Sequence, residues 1–389
     1  MFVGLTNEPR DYAWGSTTAI ADLLGRPRSG KPEAEYWLGT HPGSPSQLLD
    51  PEDNGGATLL SQLTTLPYLL KVLAADAPLS LQAHPTSAQA QEGFDRENAE
   101  GIPIDSPNRN YRDNKHKPEL IYALSDEFVA LCGFRSVPAT RALFETLGDD
   151  PAIAAFCARL VDDESLKPVL EWLLSRSVGV AELLELVVGR SSTLAGAEFG
   201  MVGELAAGYP GDPGIVVALL LNRVVLSPGQ ALYLPAGNIH AYLKGVGIEL
   251  MSASDNVLRG GLTPKHVDVP ELIQVLDFTS EAPPFLTPDT STPGLHIFRP
   301  NVREFELVVV RPTDSPVSFE LPGAAILLCT AGEFRVEGSR SAVSLVRGDS
   351  VYVTVDEGSL VFSGAGTVFL ASANSESVDS VGRRNEKNL

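Results

Sequence analysis

The spacing of apolar residues changes twice along the chain, and that change limits the fold more than any other feature. Between about Val137 and Asp212, the segments ATRALFETL, DPAIAAFCARLVDD, LKPVLEWLLSRS and AELLELVVGR place apolar residues three and four apart. That is the spacing of a helix with one buried face. Before this block, GTHPGSPSQLL and AADAPLSLQAHPTS are short apolar runs cut by Pro and Gly. After it come VVLSPGQALYLPAG, EFELVVVRP, AAILLCTAGEFRVEG, SAVSLVRGDSVYVTVDE and GTVFLASA. Runs of this length between turn signals read as strands. The expected fold is mainly β with a helical insert, in more than one unit, because 389 residues exceed one ordinary core. Asp150 before Pro151 marks a helix start, Gly189 is expected just past a helix end, and strands should resume after Pro213. The segment SEAPPFLTPDTSTPG reads as a connector, and the polar stretch after Ser372 as a frayed tail.

Charge and cysteine usage narrow the function. Against 29 Lys and Arg stand 49 Asp and Glu, a formal charge of -20, so the global field repels nucleic acid and anionic lipid. Cys132, Cys157 and Cys329 lie far apart with no CxxC pair, which suggests neither a disulfide framework nor a thiolate zinc site. The start MFVGLTNEPRDYAWGS lacks a basic segment followed by an apolar one, and Asn222 and Arg223 interrupt the apolar run from Ile215 to Leu226. The expectation is a cytoplasmic protein, a monomer or weak oligomer, with no nucleic-acid or membrane partner. No GxGxxG or GxxxxGK[ST] pattern occurs, so any phosphate must be bound by side chains and turns.

The chain has six histidines: His41, His84, His116, His240, His266 and His296. In APLSLQAHP, strand alternation puts Ser80, Gln82 and His84 on one face, either as adjacent metal ligands or as a solvated face. In NYRDNKHKPELIYAL, a charged loop runs into an apolar strand at Glu119. A carboxylate there must be paired, hydrogen-bonded or metal-bound, unless the segment is simply a surface loop. In GQALYLPAGNIHAYLKG, Gly229, Pro235, Gly237 and His240 have the spacing of the second signature of the cupin superfamily, although Lys244 stands where that signature has Asn. A weaker echo, GDSVYVTVDEGS from Gly348, has Ser359 at the position of His240, so only the first copy keeps a ligand. Gln82, His84, Glu119 and His240 together offer two imidazoles, a carboxylate and an amide oxygen. This donor set suits one Zn²⁺ per chain, and would also accept other divalent metals.

On these segments the sequence resembles the type I mannose-6-phosphate isomerase (phosphomannose isomerase) family. One signature is carried by Tyr111, Asp113, His116, Lys117, Pro118 and Glu119, with Lys115 in place of the usual Asn. The other runs from His240 through Ala241, Tyr242, Gly245, Glu249, Met251, Ser254, Asp255, Asn256, Arg259, Gly261, Thr263, Pro264 and Lys265. Ser252 and Gly260 there replace alanines usual in the family. YAWGS, AEYWLGTHP and LPYLLKVLAADAPLSLQAHP add to the match, whereas the far C-terminal part agrees only in texture. The resemblance implies metal-dependent interconversion of mannose 6-phosphate and fructose 6-phosphate through a cis-enediol. It places zinc at Gln82, His84, Glu119 and His240, and the active-site arginine at Arg259.

Such chemistry needs a base, stabilisation of oxyanion charge and a phosphate anchor. Asp255, His116 and Lys117 are candidates for proton transfer and ring opening, with Tyr242 beside them. Lys265, Glu249, Lys71 and Ser80 are candidate substrate-binding groups. Glu249 and Asp255 could instead be structural partners of Arg259 or Lys265, and Lys71, Lys244 and Lys265 could be solvated. His41 and His266 are possible wall residues; His296 reads as structural. The expected architecture is two cupin-like jelly-roll barrels plus an α-helical domain. Residues 1–136 and 213–280 would form the metal-binding barrel, 137–212 the helical insert, and 281–389 a metal-free C-terminal barrel. Two other readings remain open: a metal-dependent sugar-phosphate-binding cupin without turnover, and a cupin isomerase or epimerase for another sugar phosphate.

Overall fold

In the computed structural model, which describes residues 1–49, 57–59, 65–313 and 315–374, the strands form two antiparallel sheets. Each has nine strands among the described residues. The first sheet is built around the long strand His240–Ser252, which pairs with Tyr68–Ala75, Glu119–Ala123 and Phe128–Phe134 and, at His240, with Gln82. The strand Tyr68–Ala75 is buried along its whole length. Tyr68, Leu70, Val72 and Ala74 enter the core between the two sheets. The alternate residues Leu69, Lys71 and Leu73 line a cavity on the other face.

A bulge in the central strand decides which side chains share that cavity. The pairing register shifts between Tyr242 and Lys244, and Gly245 follows with φ +123. Side chains alternate along a strand, so one inserted residue reverses the parity of everything after it. Tyr242 before the bulge and Glu249 and Met251 after it therefore face the same cavity.

The second sheet takes its strands from Leu295–Phe298 onward and adds Phe2–Thr6 and Gln47–Leu49 from the start of the chain. These two N-terminal strands lie within the span 1–136 that the sequence assigns to the metal-binding unit. The core between the sheets joins Tyr36, Tyr68 and Tyr122 to Phe298, Phe305 and Phe369. Tyr68 ties them further, its hydroxyl donating to the carbonyls of Ala324 at 2.9 Å and Ala371 at 3.0 Å.

The helical block is Val137–Glu145, Pro151–Arg159, Leu166–Leu174, Val180–Ser191 and Ala197–Gly208, packed on one apolar core. Asp150 caps the second helix as its spacing predicts, accepting from the Ala152 N–H at 2.9 Å. Other details differ from the sequence reading. Gly189 lies inside a helix, not past its end. Helix continues beyond Pro213, as Gly214–Leu220, before the strand Leu221–Leu226. That run is apolar on every side and fully buried, so it has no periodicity to read. The N-terminal part also holds a helix, Ser87–Ala99, opened by a capping box between Thr86 and Gln89. Among the described residues no helix is long and apolar enough to cross a membrane.

Candidate metal centre and active-site cavity

His84, Glu119 and His240 converge from three strand ends, their ligand atoms all within 4.8 Å of one another. All three side chains are at most 2% exposed. Each imidazole has one ring nitrogen committed elsewhere. His84 Nδ1 is 2.8 Å from the Asn256 carbonyl and His240 Nδ1 is 3.0 Å from the Asn238 carbonyl. A carbonyl only accepts, so both Nδ1 atoms carry the proton and both Nε2 atoms are left as acceptors. Burial, followed by the charge of Lys117, pushes the His84 pKa down to about 4, which keeps it neutral at neutral pH. His84 Nε2 and Glu119 Oε2 are buried with no hydrogen-bond partner. Orphaned acceptors cost free energy unless something electropositive meets them, and a divalent cation fits this donor set.

The other Glu119 oxygen is taken by Lys117 Nζ at 2.7 Å. Burial raises the Glu119 pKa, but the charge of Lys117 outweighs it and holds the group ionised. The Gln82 amide lies beside His240, its Nε2 3.3 Å from the ring Nε2. Rotating the amide by half a turn would present the oxygen instead.

Gln82 and Glu119 open onto a cavity of about 470 Å³. Across its floor Lys71 Nζ meets Glu249 at 2.9 Å and Glu35 at 3.6 Å. Burial works against the Lys71 ammonium, but Glu249, Glu35 and Glu119 outweigh it and keep it charged. Glu249 is held above the ordinary carboxylate range, by burial first and by Glu119 and Glu35 next, against the opposing charge of Lys71. Tyr242 OH is buried here without a hydrogen-bond partner.

The rim has the opposite sign. Arg259, Lys265 and Arg112 make no ion pair with any described carboxylate. Burial, then Arg112, lowers the Arg259 pKa; burial, then Arg259 and Arg112, lowers that of Lys265. Cations gathered without a counter-charge form a site for an anion. Asp255, half-exposed on the same wall, is 3.3 Å from His41 Nε2. The Asp113 carboxylate braces this loop, accepting from Ser254 Oγ at 2.9 Å and the Asp255 N–H at 2.8 Å.

Most of the side chains singled out from the sequence meet here: Gln82, Glu119, Lys71, Ser80, Lys117, Tyr242, Glu249, Asp255, Arg259 and Lys265 line the cavity, with His84 and His240 buried behind them. His116 does not. Its Nε2 turns to Glu304 at 2.7 Å, so it ties the loop to the C-terminal part of the chain. Lys244 and His266 are exposed and outside the cavity. Lys71 is buried rather than solvated, and Glu249 pairs with Lys71 rather than with Arg259 or Lys265. Glu35, Trp37 and Tyr209 escaped the sequence reading as individual site residues. Glu35 and Trp37 share the strand-face alternation of AEYWLGTHP, which could have found them. Tyr209 ends a helix of the insert, its hydroxyl donating to the Pro78 carbonyl at 2.8 Å, and carried no local signal.

Known proteins resemble this chain in sequence and in fold. Residues 2–137 match the family described as "Phosphomannose isomerase type I, catalytic domain". The chain is 35% identical to the mannose-6-phosphate isomerase of Escherichia coli (strain K12), across 93% of this chain and 97% of that one. It is 32% identical to the Homo sapiens mannose-6-phosphate isomerase, across 90% and 92%. Among solved structures it is similar to the Salmonella typhimurium mannose 6-phosphate isomerase bound to its substrate fructose 6-phosphate and to zinc. The TM-score is 0.86 at 33% identity, covering 96% of this chain and 99% of that one. A zinc-bound form of mannose 6-phosphate isomerase superposes equally well, also with a TM-score of 0.86. With a relative this similar along nearly its whole length, the chain belongs to the type I mannose-6-phosphate isomerase (phosphomannose isomerase) family.

Proposed function

We propose that this chain is a zinc-dependent aldose-ketose isomerase that interconverts mannose 6-phosphate and fructose 6-phosphate. The observation that carries the reading is the buried convergence of His84, Glu119 and His240, with His84 Nε2 and Glu119 Oε2 left without partners, beneath a cavity rimmed by unpaired cations. Gln82, His84, Glu119 and His240 would hold the metal, which when bound acts as a Lewis acid toward the sugar's carbonyl and hydroxyl oxygens.

The reaction moves a proton between C1 and C2 through a cis-enediol and shifts another between O1 and O2. Arg259, always charged, stabilises the negative charge that develops on those oxygens. Asp255 and Lys117, on opposite sides of the proton balance, are the groups we assign to proton transfer and ring opening. Lys117 is held ready by its contact with Glu119. Tyr242 offers its unpartnered hydroxyl to the sugar, and Glu249, Lys71 and Ser80 shape the floor beneath it. Lys265, with Arg112 and Arg259, anchors the phosphate. His116, engaged with Glu304, takes no part in proton transfer in this reading.

We read the two sheets as two cupin-like barrels. In each half a short strand opened by a glycine, Ala231–Leu234 or Ser350–Val353, precedes a long one, His240–Ser252 or Ser359–Ser372. Residues 1–136 and 213–280 form the metal-binding unit, which lends two short strands to its neighbour. Residues 137–212 form the insert, and 281–389 the metal-free barrel. The buried free thiols of Cys132, Cys157 and Cys329 suit a reducing compartment.

A coupled assay from fructose 6-phosphate, before and after chelation and with Zn²⁺ restored, tests the function. Turnover should vanish with the metal and return with it. Absence of mannose 6-phosphate from the metal-replete protein would overturn the reading.

A further inference from the structure

His41 follows the strand Glu35–Leu38, and its side chain is only 5% exposed although the ring lines the cavity. Its ring meets Trp37 edge-on, with centroids 5.0 Å apart at 85°. Its two nitrogens have unlike partners. The Gly43 N–H donates to Nδ1 at 3.1 Å, and Nε2 lies 3.3 Å from Asp255 Oδ1. A nitrogen that accepts from a backbone amide carries no proton, so the ring proton sits on Nε2 and points at the carboxylate. Adding a proton at Nδ1 would break the Gly43 contact, so the loop selects one tautomer.

Asp255 is held from its other side by its own backbone N–H on Asp113 Oδ2. The charged groups facing its carboxylate besides His41 are Lys117 and Arg112. His41 is thus the one imidazole in the cavity wall with no part in the metal-ligand set.

We propose that His41 is a positioning residue of the isomerase: fixed by Gly43, its Nε2–H holds Asp255 as an ionised, oriented carboxylate at the cavity wall. This inference rests on the isomerase reading for the use made of Asp255, but its geometry can be tested without turnover. Burial raises the Asp255 pKa, whereas the bond from His41 lowers it below the ordinary value, with Lys117 and Arg112 assisting. Removing the imidazole should therefore move the ionisation of Asp255 to higher pH.

The test uses the full-length, zinc-loaded protein and the variants His41→Phe and His41→Gln. In His41→Phe, kcat should fall about tenfold or more, and the acid limb of kcat/KM against pH should move up by about one unit, with bound zinc unchanged. His41→Gln, which keeps an N–H donor at similar reach, should recover most of both effects. Ring ¹⁵N shifts of the wild-type protein near pH 7 should report His41 protonated at Nε2 and bare at Nδ1. A proton found on Nδ1, an unshifted acid limb in His41→Phe, or equal losses in both variants would overturn the proposal. A wild-type protein without isomerase activity would instead sink the functional reading, and the ¹⁵N shifts and the Asp255 carboxyl titration would still decide the His41 contact. Should His41→Phe fail to fold, His41→Gln and the ¹⁵N shifts carry the test.

Discussion

Arg259 is half-buried, carries a charge it cannot shed, and has like charges for neighbours. Such an arrangement raises the free energy of the empty site and is offset only when an anion or a developing oxyanion arrives. Arg259→Ala is expected to lower kcat on the order of 10²–10³-fold, the cost of losing one preorganised oxyanion donor. Zinc content, measured by metal analysis, should stay at the wild-type level. Arg259→Lys should not restore the rate, because a point charge replaces a planar fork. Equal loss of metal and turnover would assign Arg259 a structural role. At this scale the sequence was most legible for His240, whose motif spacing puts it at a strand end, whereas His84 and Glu119 also allowed a solvated face and a surface loop. It was least legible for Lys71, Glu249 and His116. Whether a charged side chain is buried against a partner depends on residues far away in the chain, and Lys71 meets Glu249 across 178 positions.

The central strand His240–Ser252 shows what an element adds to its residues. Its bulge allows His240 and Tyr242 to serve the same cavity as Glu249, and Gly245 makes the bulge possible. A Cβ at Gly245 would lie 2.8 Å from Phe128 Cα and 2.9 Å from the Glu127 carbonyl oxygen, and φ there is +123. Backbone atoms cannot move aside as a flexible side chain can. Gly245→Ala should therefore destabilise the protein by about 2 kcal/mol or more, from strain and contact together, seen as a lower Tm in thermal unfolding. A Tm equal to wild type would mean that the bulge tolerates a side chain. The sequence announces a strand after His240, but alternation alone would have put Glu249 on the face opposite Tyr242. A bulge leaves no pattern in a single sequence beyond a glycine, and glycines are common in this chain.

The two sheets share one core, and the chain crosses between them more than once. Phe2–Thr6 lies against Ser350–Val353, with Leu5 buried beside Tyr352 in the common core. The C-terminal sheet is thus completed by residues from the other end of the chain. Residues 281–389 produced alone would lack Phe2–Thr6 and the Tyr68, Leu70 and Val72 surface on which they pack. This fragment is expected to unfold without a cooperative transition by circular dichroism, whereas the full chain unfolds cooperatively. A cooperative fragment would make the C-terminal part of the chain an independent domain. His116 to Glu304 adds a polar link between the signature loop and that part of the chain.

By itself the sequence determined the mainly β texture, the helical block and the Asp150 cap, because each rests on neighbours a few positions apart, whereas the metal-ligand set was what the family resemblance implied. The two signature segments also singled out Arg259, Asp255 and Lys117 as candidates. Only the tertiary structure decided that Phe2–Thr6 completes the C-terminal sheet, that Gly214–Leu220 is helix, that Lys71 is buried between carboxylates and that His116 turns away. It alone gave His41 a defined tautomer facing Asp255. The physical reason is the same in each case. Burial, strand pairing and the proton on a ring nitrogen are set by which distant groups the fold brings into contact, and local spacing carries no record of them.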